Sequence, residues 1–238
     1  MYSYGYYGGM MFDYTYILVL IGALLCMLAS ARVNSTYNKY ARVRSMSGMT
    51  GAQVAEEILR RNGINNVCVA HVPGNLSDHF DPRNNTVNLS DSTYGSTSVA
   101  AIGVAAHECG HVLQHHQGYV PIKIRSALVP AANFGSKIGL PIIIIGLIIG
   151  MTPLAKIGIW VFSLAVLFQL VTLPVEFDAS HRALVMLNEY GILAEDEVDK
   201  SRKVLNAAAL TYVAAAASSI LQLLRLVLIV NGGRRNRR

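Results

Sequence analysis

Four stretches of this chain carry no Asp, Glu, Lys or Arg: Tyr14–Ala31, Ile138–Ala155, Ile157–Val175 and Val204–Leu224, of 18, 18, 19 and 21 residues. A helix that crosses a bilayer needs ~20 mostly apolar residues, and a core helix of a soluble protein rarely runs so far without a polar face. The whole composition agrees. Hydrophobic residues make up 53% and charged residues 14%, against about 25% charged in soluble domains, which excludes both an ordinary soluble domain and a disordered chain. Three cysteines, Cys26, Cys68 and Cys109, are too few and too scattered for a disulfide framework or a cysteine-based zinc knuckle.

The expected fold class is a mainly α integral membrane protein, with three to four transmembrane helices and a small α+β domain. The first run has Ala29-Ser30-Ala31 at its end, which resembles a signal-peptidase site. A secretory signal, however, begins with positive charge. Residues 1–16 hold no Lys or Arg, and Arg32, Lys39, Arg42 and Arg44 follow the run instead. It reads as a retained anchor with its N-terminus outside. The second and third runs are separated only by Lys156, with Thr152-Pro153 before it, and read as a helical hairpin. The fourth contains seven alanines and the polar Thr211, Ser218 and Ser219; it crosses the membrane or packs beside the helices that do. The expected organisation is a Tyr/Gly-rich tail (1–13), an anchor (14–31), a polar domain (32–137), a hairpin (138–175), a return segment (176–203), a membrane-associated or transmembrane helix (204–230) and a basic tail (231–238).

The polar segment after the anchor has its own local signals. Thr50 and Gln53 form a capping box for a helix reaching about Asn62, with Gly63 as its left-handed stop. Val67–Val72 is short and β-branched, and Pro73-Gly74-Asn75 ends it as a turn. His79-Phe-Asp and Thr86–Ser90 flank Pro82-Arg-Asn-Asn as a hairpin. Asp91–Ser98 offers several caps for a helix over about Val99–His116.

On that last helix lies His107-Glu108-Cys109-Gly110-His111. Helical residues at i and i+4 share one face about 6 Å apart, so His107 and His111 can hold one metal, and Zn²⁺ accepts two imidazoles readily. Glu108 is placed to take a proton from a water whose pKa zinc lowers towards ~7, and to pass it to a leaving amine. The bland alternative is a core helix whose histidines are satisfied by hydrogen bonds. His115 is tempting as a third ligand, but eight residues put it about 12 Å along the axis from His107. His115 and His116 therefore read as outer or surface residues. A metzincin-type third histidine would fall at Gln117, so that subclass is rejected. Cys109 reads as a small core residue.

A gap nominates the third ligand. From Val112 to Val175 there is no Asp or Glu, and the first carboxylate is Glu176, in Leu173-Pro-Val-Glu-Phe-Asp178-Ala-Ser-His181-Arg182. Two crossings separate it from His111, so it returns to the same side. Asp178 and His181 are possible substitutes or partners orienting an imidazole, and an ion pair with Arg182 is the structural alternative for Glu176. Metallopeptidases with such a helix hold an extended peptide along a strand edge, and Thr86–Ser90 is the expected edge.

The net charge of +6 follows the membrane ends. Seven Lys or Arg flank the first polar segment and four the second, while the opposite side has Lys156 and, where the fourth run crosses, the outvoted basic tail Arg234-Arg-Asn-Arg-Arg238. The positive-inside rule then places the catalytic domain in the cytoplasm of a multi-pass cell-membrane protein. No aromatic platform accompanies the charge, so nucleic acid is not an expected partner. The expected partners are the lipid bilayer and peptide, unfolded or membrane-protein substrates.

Asp78-His-Phe-Asp-Pro82, Ala106–His115, Arg125-Ser-Ala-Leu-Val-Pro130, Leu173–Ser180 and Val204–Tyr212 together resemble the YugP-type neutral zinc metallopeptidases of bacterial membranes. The resemblance spans nearly the whole chain beyond the first dozen residues and implies His107 and His111 as zinc ligands and Glu108 as the catalytic residue. A more distant similarity to HtpX-type membrane proteases implies a third-ligand Glu after a helical hairpin, which matches Glu176. That wider pattern has an Asp four residues on, where this chain has Ser180. The small α+β domain, 32–137, is then expected to be a zincin-like catalytic domain with the third metal ligand on the return segment, and the expected function is a membrane-embedded zinc metalloprotease, an endopeptidase that hydrolyses peptide bonds with Zn²⁺ as cofactor. The alternative from another class is a membrane scaffold or chaperone-like partner with a structural or inactive zinc site; a fourth protein ligand would favour it, because structural zinc sites are closed.

Overall fold

A computed structural model describes residues 14–232. The Tyr/Gly-rich start, and all but the first two residues of the basic tail, lie outside the described residues. Six helices and three strands follow in the order α1 (Tyr16–Tyr40), α2 (Gly51–Arg61), β1 (Cys68–Val72), β2 (His79–Asp81), β3 (Thr86–Ser90), α3 (Val99–His116), α4 (Val120–Ile148), α5 (Thr152–Glu189) and α6 (Glu195–Gly232). The protein is a mainly α membrane protein: α1, α4, α5 and α6 are each long and apolar enough to cross a bilayer. The chain divides into two compact units. One comprises the residues up to Leu28, Ala127–Leu170 and those from Ala214 on; the other comprises Ala29–Ser126 and Val171–Val213.

The first unit is a helical bundle that turns its apolar side chains outward: Ile17, Leu20, Ile145, Ile148 and Trp160 are all exposed. In lipid no hydrophobic force drives helices together, so close packing must rest on small residues. Gly146 lies so near α5 that a Cβ there would sit 2.5 Å from the Ala155 nitrogen, and one on Gly158 would sit 2.5 Å from Ile143 Cγ1. The hairpin reverses at Gly150, whose φ of +71° suits glycine. The turn therefore comes before Thr152-Pro153 and not at Lys156. Proline is tolerated there because the first turn's N–H groups have no helical partner anyway, and Lys156 lies within α5. α6 runs unbroken through the fourth apolar run. It packs antiparallel to α1, with Gly22 against Ser218 and the Arg225 guanidinium 5.2 Å from the centre of the Tyr16 ring.

The second unit holds a conventional core. The local signals produce the expected elements: the Thr50–Gln53 capping box is fully formed, with Gln53 N–H donating to Thr50 Oγ1 and Thr50 N–H to Gln53 Oε1, and Gly63 takes φ +68°. The sheet order is β1-β3-β2, with β1 parallel and β2 antiparallel to β3. This corrects one expectation: β3 is the central strand, flanked on both sides, so the edge beside the active helix is β2. The hairpin placed β2 next to β3, and the parallel partner then covered the remaining edge. α2 and α3 pack on each other and on the sheet, enclosing Val54, Ile58, Leu89, Ile102 and Leu187.

Helices run through two of the expected boundaries, because a helix does not end where its hydropathy changes. The return segment 176–203 is mainly the last turns of α5 and the first of α6, and the polar domain ends inside α4 at Ser126 and not at Lys137. Buried Val175, Ala179, Ala183, Met186 and Leu187 keep helical spacing straight past the point where charge resumes.

Candidate metal centre

α3 begins at Ser98, whose hydroxyl accepts from Ala101 N–H at 3.2 Å. Its mid-section is nearly all buried, from Val99 to Gln114, with only Val104 and His107 partly exposed. Small residues let α5 come close. A Cβ on Gly110 would sit 2.5 Å from the Ala179 carbonyl oxygen, so the glycine between the two histidines is what admits the chain bearing Glu176.

That approach brings His107, His111 and Glu176 together, one ligand atom from each, all within 4.8 Å of one another. Glu176 Oε2 lies 3.3 Å from His107 Nε2 and 3.6 Å from His111 Nε2. Neither approach has hydrogen-bond geometry, so this buried carboxylate oxygen has no hydrogen-bond partner. A buried acceptor left unsatisfied is costly, and a cation between the three side chains would satisfy it. Two imidazoles and a carboxylate are a donor set that suits Zn²⁺. No fourth Asp, Glu, His or Cys joins the group among the described residues. The residues fit the metal.

The far sides of the imidazoles are held differently. His107 Nδ1 meets Ser180 Oγ at 3.1 Å, so Ser180 occupies the position where the wider pattern has Asp. His111 Nδ1 meets Gln114 Oε1 at 3.0 Å. The Gln114 amide nitrogen donates to the Val175 carbonyl and to Asp178 Oδ2, both at 2.8 Å. Those two acceptors leave Gln114 only its oxygen for His111. His111 must then donate from Nδ1, which turns the Nε2 lone pair towards Glu176 and the metal position. Asp178 in turn accepts from Arg182 at 2.6 Å. Asp178 is thus no substitute ligand but the anchor of Gln114, and the Arg182 partner expected for Glu176 belongs to it. Glu176 Oε1 instead lies 3.2 Å from Arg125, and Tyr212 stands beside the same carboxylate, close enough to feel its charge.

Burial works against the charged form of His111, but Glu176 beside it, together with Glu108 and Gln114, outweighs this and raises its pKa. Glu108 is buried, and its Oε2 accepts from the Phe80 amide at 3.0 Å. Phe80 is the middle residue of the edge strand β2, so the one amide that points away from β3 is spent on this carboxylate. Cys109 is fully buried and pushed well above the ordinary thiol range, first by desolvation and then by the Glu108 charge. His115 is exposed and stacks edge-on against Phe80; His181 is exposed and outside the cluster.

Gln114, Ser180, Arg125, Tyr212 and the Phe80 amide were not assigned roles by spacing. Their one sequence signal was membership in the quoted segments: Gln114 lies in Ala106–His115, and the others fall in the remaining four.

Residues 15–231 match the family model described as "Putative neutral zinc metallopeptidase". The chain is 44% identical over 220 residues to "Putative membrane protease YugP" of Bacillus subtilis (strain 168), covering 92% of this chain and 98% of that protein. No solved structure matches it.

Proposed function

Because the chain belongs to the family of putative neutral zinc metallopeptidases, we propose that it is a membrane-embedded zinc endopeptidase in which His107, His111 and Glu176 hold the metal and Glu108 is the catalytic residue. The observation that carries this reading is the orphaned, buried Glu176 oxygen facing two Nε2 atoms, with Glu108 next to one of them in the chain. When bound, zinc supplies Lewis acidity and a water acidic enough to lose its proton near neutral pH.

The remaining work falls to the chain's own side chains. Glu108, held by the Phe80 amide, accepts the water proton and returns it to the leaving amine. Gln114 and Ser180 fix the two imidazole rings from behind. Arg125 and Tyr212 contact Glu176 and keep its carboxylate from swinging away. Next to Glu108, the edge of β2 keeps the outward carbonyl of Phe80, its amide being held by Glu108, and this is the place for an extended peptide to lie. The asymmetry of Lys and Arg supports a cytoplasmic position for this domain. Three protein donors with no fourth among the described residues favour an open catalytic site over the closed site of a scaffold.

The test compares purified wild type with Glu108→Gln on an unfolded membrane-protein substrate, with zinc content measured in both. The expected result is cleavage by wild type, a loss of about 10²–10⁴-fold in the variant, and equal zinc in the two proteins. If both bind zinc and neither cleaves in a metal-dependent way, the endopeptidase reading falls and the scaffold gains.

A further inference from the structure

The second unit contains a groove between two antiparallel helical stretches that the proteolytic site does not use. α1 contributes Arg32, Ser35, Thr36 and Lys39, at the i, i+3, i+4, i+7 spacing of one helical face. α6 contributes Lys203 and Asn206, followed by Ala207 and Leu210 at the same spacing. The groove encloses about 320 Å³ and no acidic residue lines it.

Its three cations are unpaired, although pairing was available nearby. On the same turns of α6, Lys200 bonds Asp196 at 2.7 Å and Arg202 bonds Asp199 at 2.8 Å. Arg32, Lys39 and Lys203 make no salt bridge among the described residues. Lys39 only lies 5.4 Å from the centre of the Tyr40 ring. Three like charges gathered around hydroxyl and amide groups repel one another unless an anion joins them. The donors present suit a phosphate: two ammonium groups, one guanidinium fork, Ser35, Thr36 and the Asn206 amide.

Chain position says which phosphate. Arg32 is the first charge after the outward-facing apolar residues Leu24, Leu25, Met27 and Leu28 of α1. Lys203 is the last charge before the apolar run of α6, and Leu210 is exposed two turns on. The groove thus sits on both helices at the step from polar to apolar surface, the level of lipid headgroups. We propose that it binds the phosphodiester of an anionic phospholipid, with the acyl chains lying along the exposed apolar face of α1. This holds whether or not the chain cleaves peptides.

The full-length protein, purified in mixed micelles of equal phosphatidylglycerol and phosphatidylcholine, should retain phosphatidylglycerol when retained lipid is counted by native mass spectrometry. Each cation near a membrane surface contributes about fivefold in affinity, so Lys39→Gln with Lys203→Gln should reduce retention about 25-fold. Arg60→Gln with Arg83→Gln removes the same charge elsewhere and should leave retention unchanged. Lys39→Arg with Lys203→Arg should preserve it, which separates loss of binding from loss of folding. Equal retention of the two lipids, or equal loss in the groove pair and the control pair, would overturn the proposal. So would displacement of the lipid by millimolar inorganic phosphate, which would make the occupant a free anion.

Discussion

α5 makes a glycine-dependent close contact in each of the two units, and the two contacts serve different ends. In the bundle, Gly146 receives the Ala155 backbone and Gly158 receives Ile143. Both partners are apolar, and nothing but packing results. In the other unit Gly110 receives the Ala179 carbonyl, and the flanking residues of α5 reach α3 with chemistry: Glu176 between two imidazoles, Asp178 on Gln114, Ser180 on His107. The same device thus packs a helix in the bundle and gathers the side chains of a candidate metal centre. The difference lies in what the neighbouring positions of α5 carry. Three polar groups at every second residue span just over one helical turn, and the close approach lets all of them touch α3.

The largest expected effect comes from removing the ligand while leaving the approach intact. Glu176→Ala should weaken zinc binding by more than the ~100-fold upper range seen for outer partners of a metal ligand, as read by competition with a chromophoric chelator. Unchanged affinity would remove Glu176 from the site and leave α5 a purely structural neighbour of α3, as it is of α4.

The glycines themselves come next. Gly110→Ala forces a Cβ onto backbone that cannot rotate away, so the helices must separate. It should strip zinc from the purified protein. Gly146→Ala presses equally hard on the Ala155 nitrogen, yet should leave the zinc content at wild-type level and cost about 1–3 kcal/mol in unfolding, a typical overpacking penalty. Zinc loss in both variants would mean the two contacts are not separable.

The sequence made the two halves of this comparison unequally legible. Absence of charge announced the bundle, and the i, i+4 histidines announced the α3 side of the centre, because both are periodic features of one segment. Glu176 was legible because an acid-free interval isolated it. Which strand formed the sheet edge was not, since edge position depends on β1 returning in parallel to β3, a pairing with no local signature. Nor was the role of Gln114. Its amide oxygen and nitrogen acquire meaning only when α5 supplies Val175 and Asp178 from 61 and 64 residues away. The helix ends past Val175 were missed because charge marks where a chain meets water, and helices pass through that level without stopping.

A smaller effect is expected behind His111. Gln114→Met keeps the volume but abolishes the bonds to His111, Val175 and Asp178. Zinc affinity should fall about 10–100-fold, and nitrogen NMR of the metal-free protein, at a pH high enough to deprotonate the ring against its raised pKa, should show His111 losing its single tautomer. Ser180→Ala removes one hydroxyl contact to His107 and should cost less, because no second bond fixes that hydroxyl's direction. If the Gln114 variant keeps both zinc affinity and tautomer, the amide is only a bridge between α3 and α5, akin to the contacts in the bundle.

The smallest effect separates the interior of the metal helix from the surface of its own unit. Cys109 sits between Glu108 and Gly110, fully buried, with its sulfur 3.7 Å from the Ala55 carbonyl. Desolvation and the Glu108 charge both raise its pKa, so the thiol stays protonated at pH 8–9, and the thiolate is the reactive form. Cys68, at the start of β1, is exposed. Iodoacetamide at pH 8.5 should therefore modify Cys68 and spare Cys109 in the folded protein, as mapped by peptide mass spectrometry, and reach both once the chain is unfolded. Labelling of Cys109 in the native state would show that α3 opens beside Glu108. The close packing around Gly110 would then be looser than a helix pinned by the Ala179 carbonyl can be.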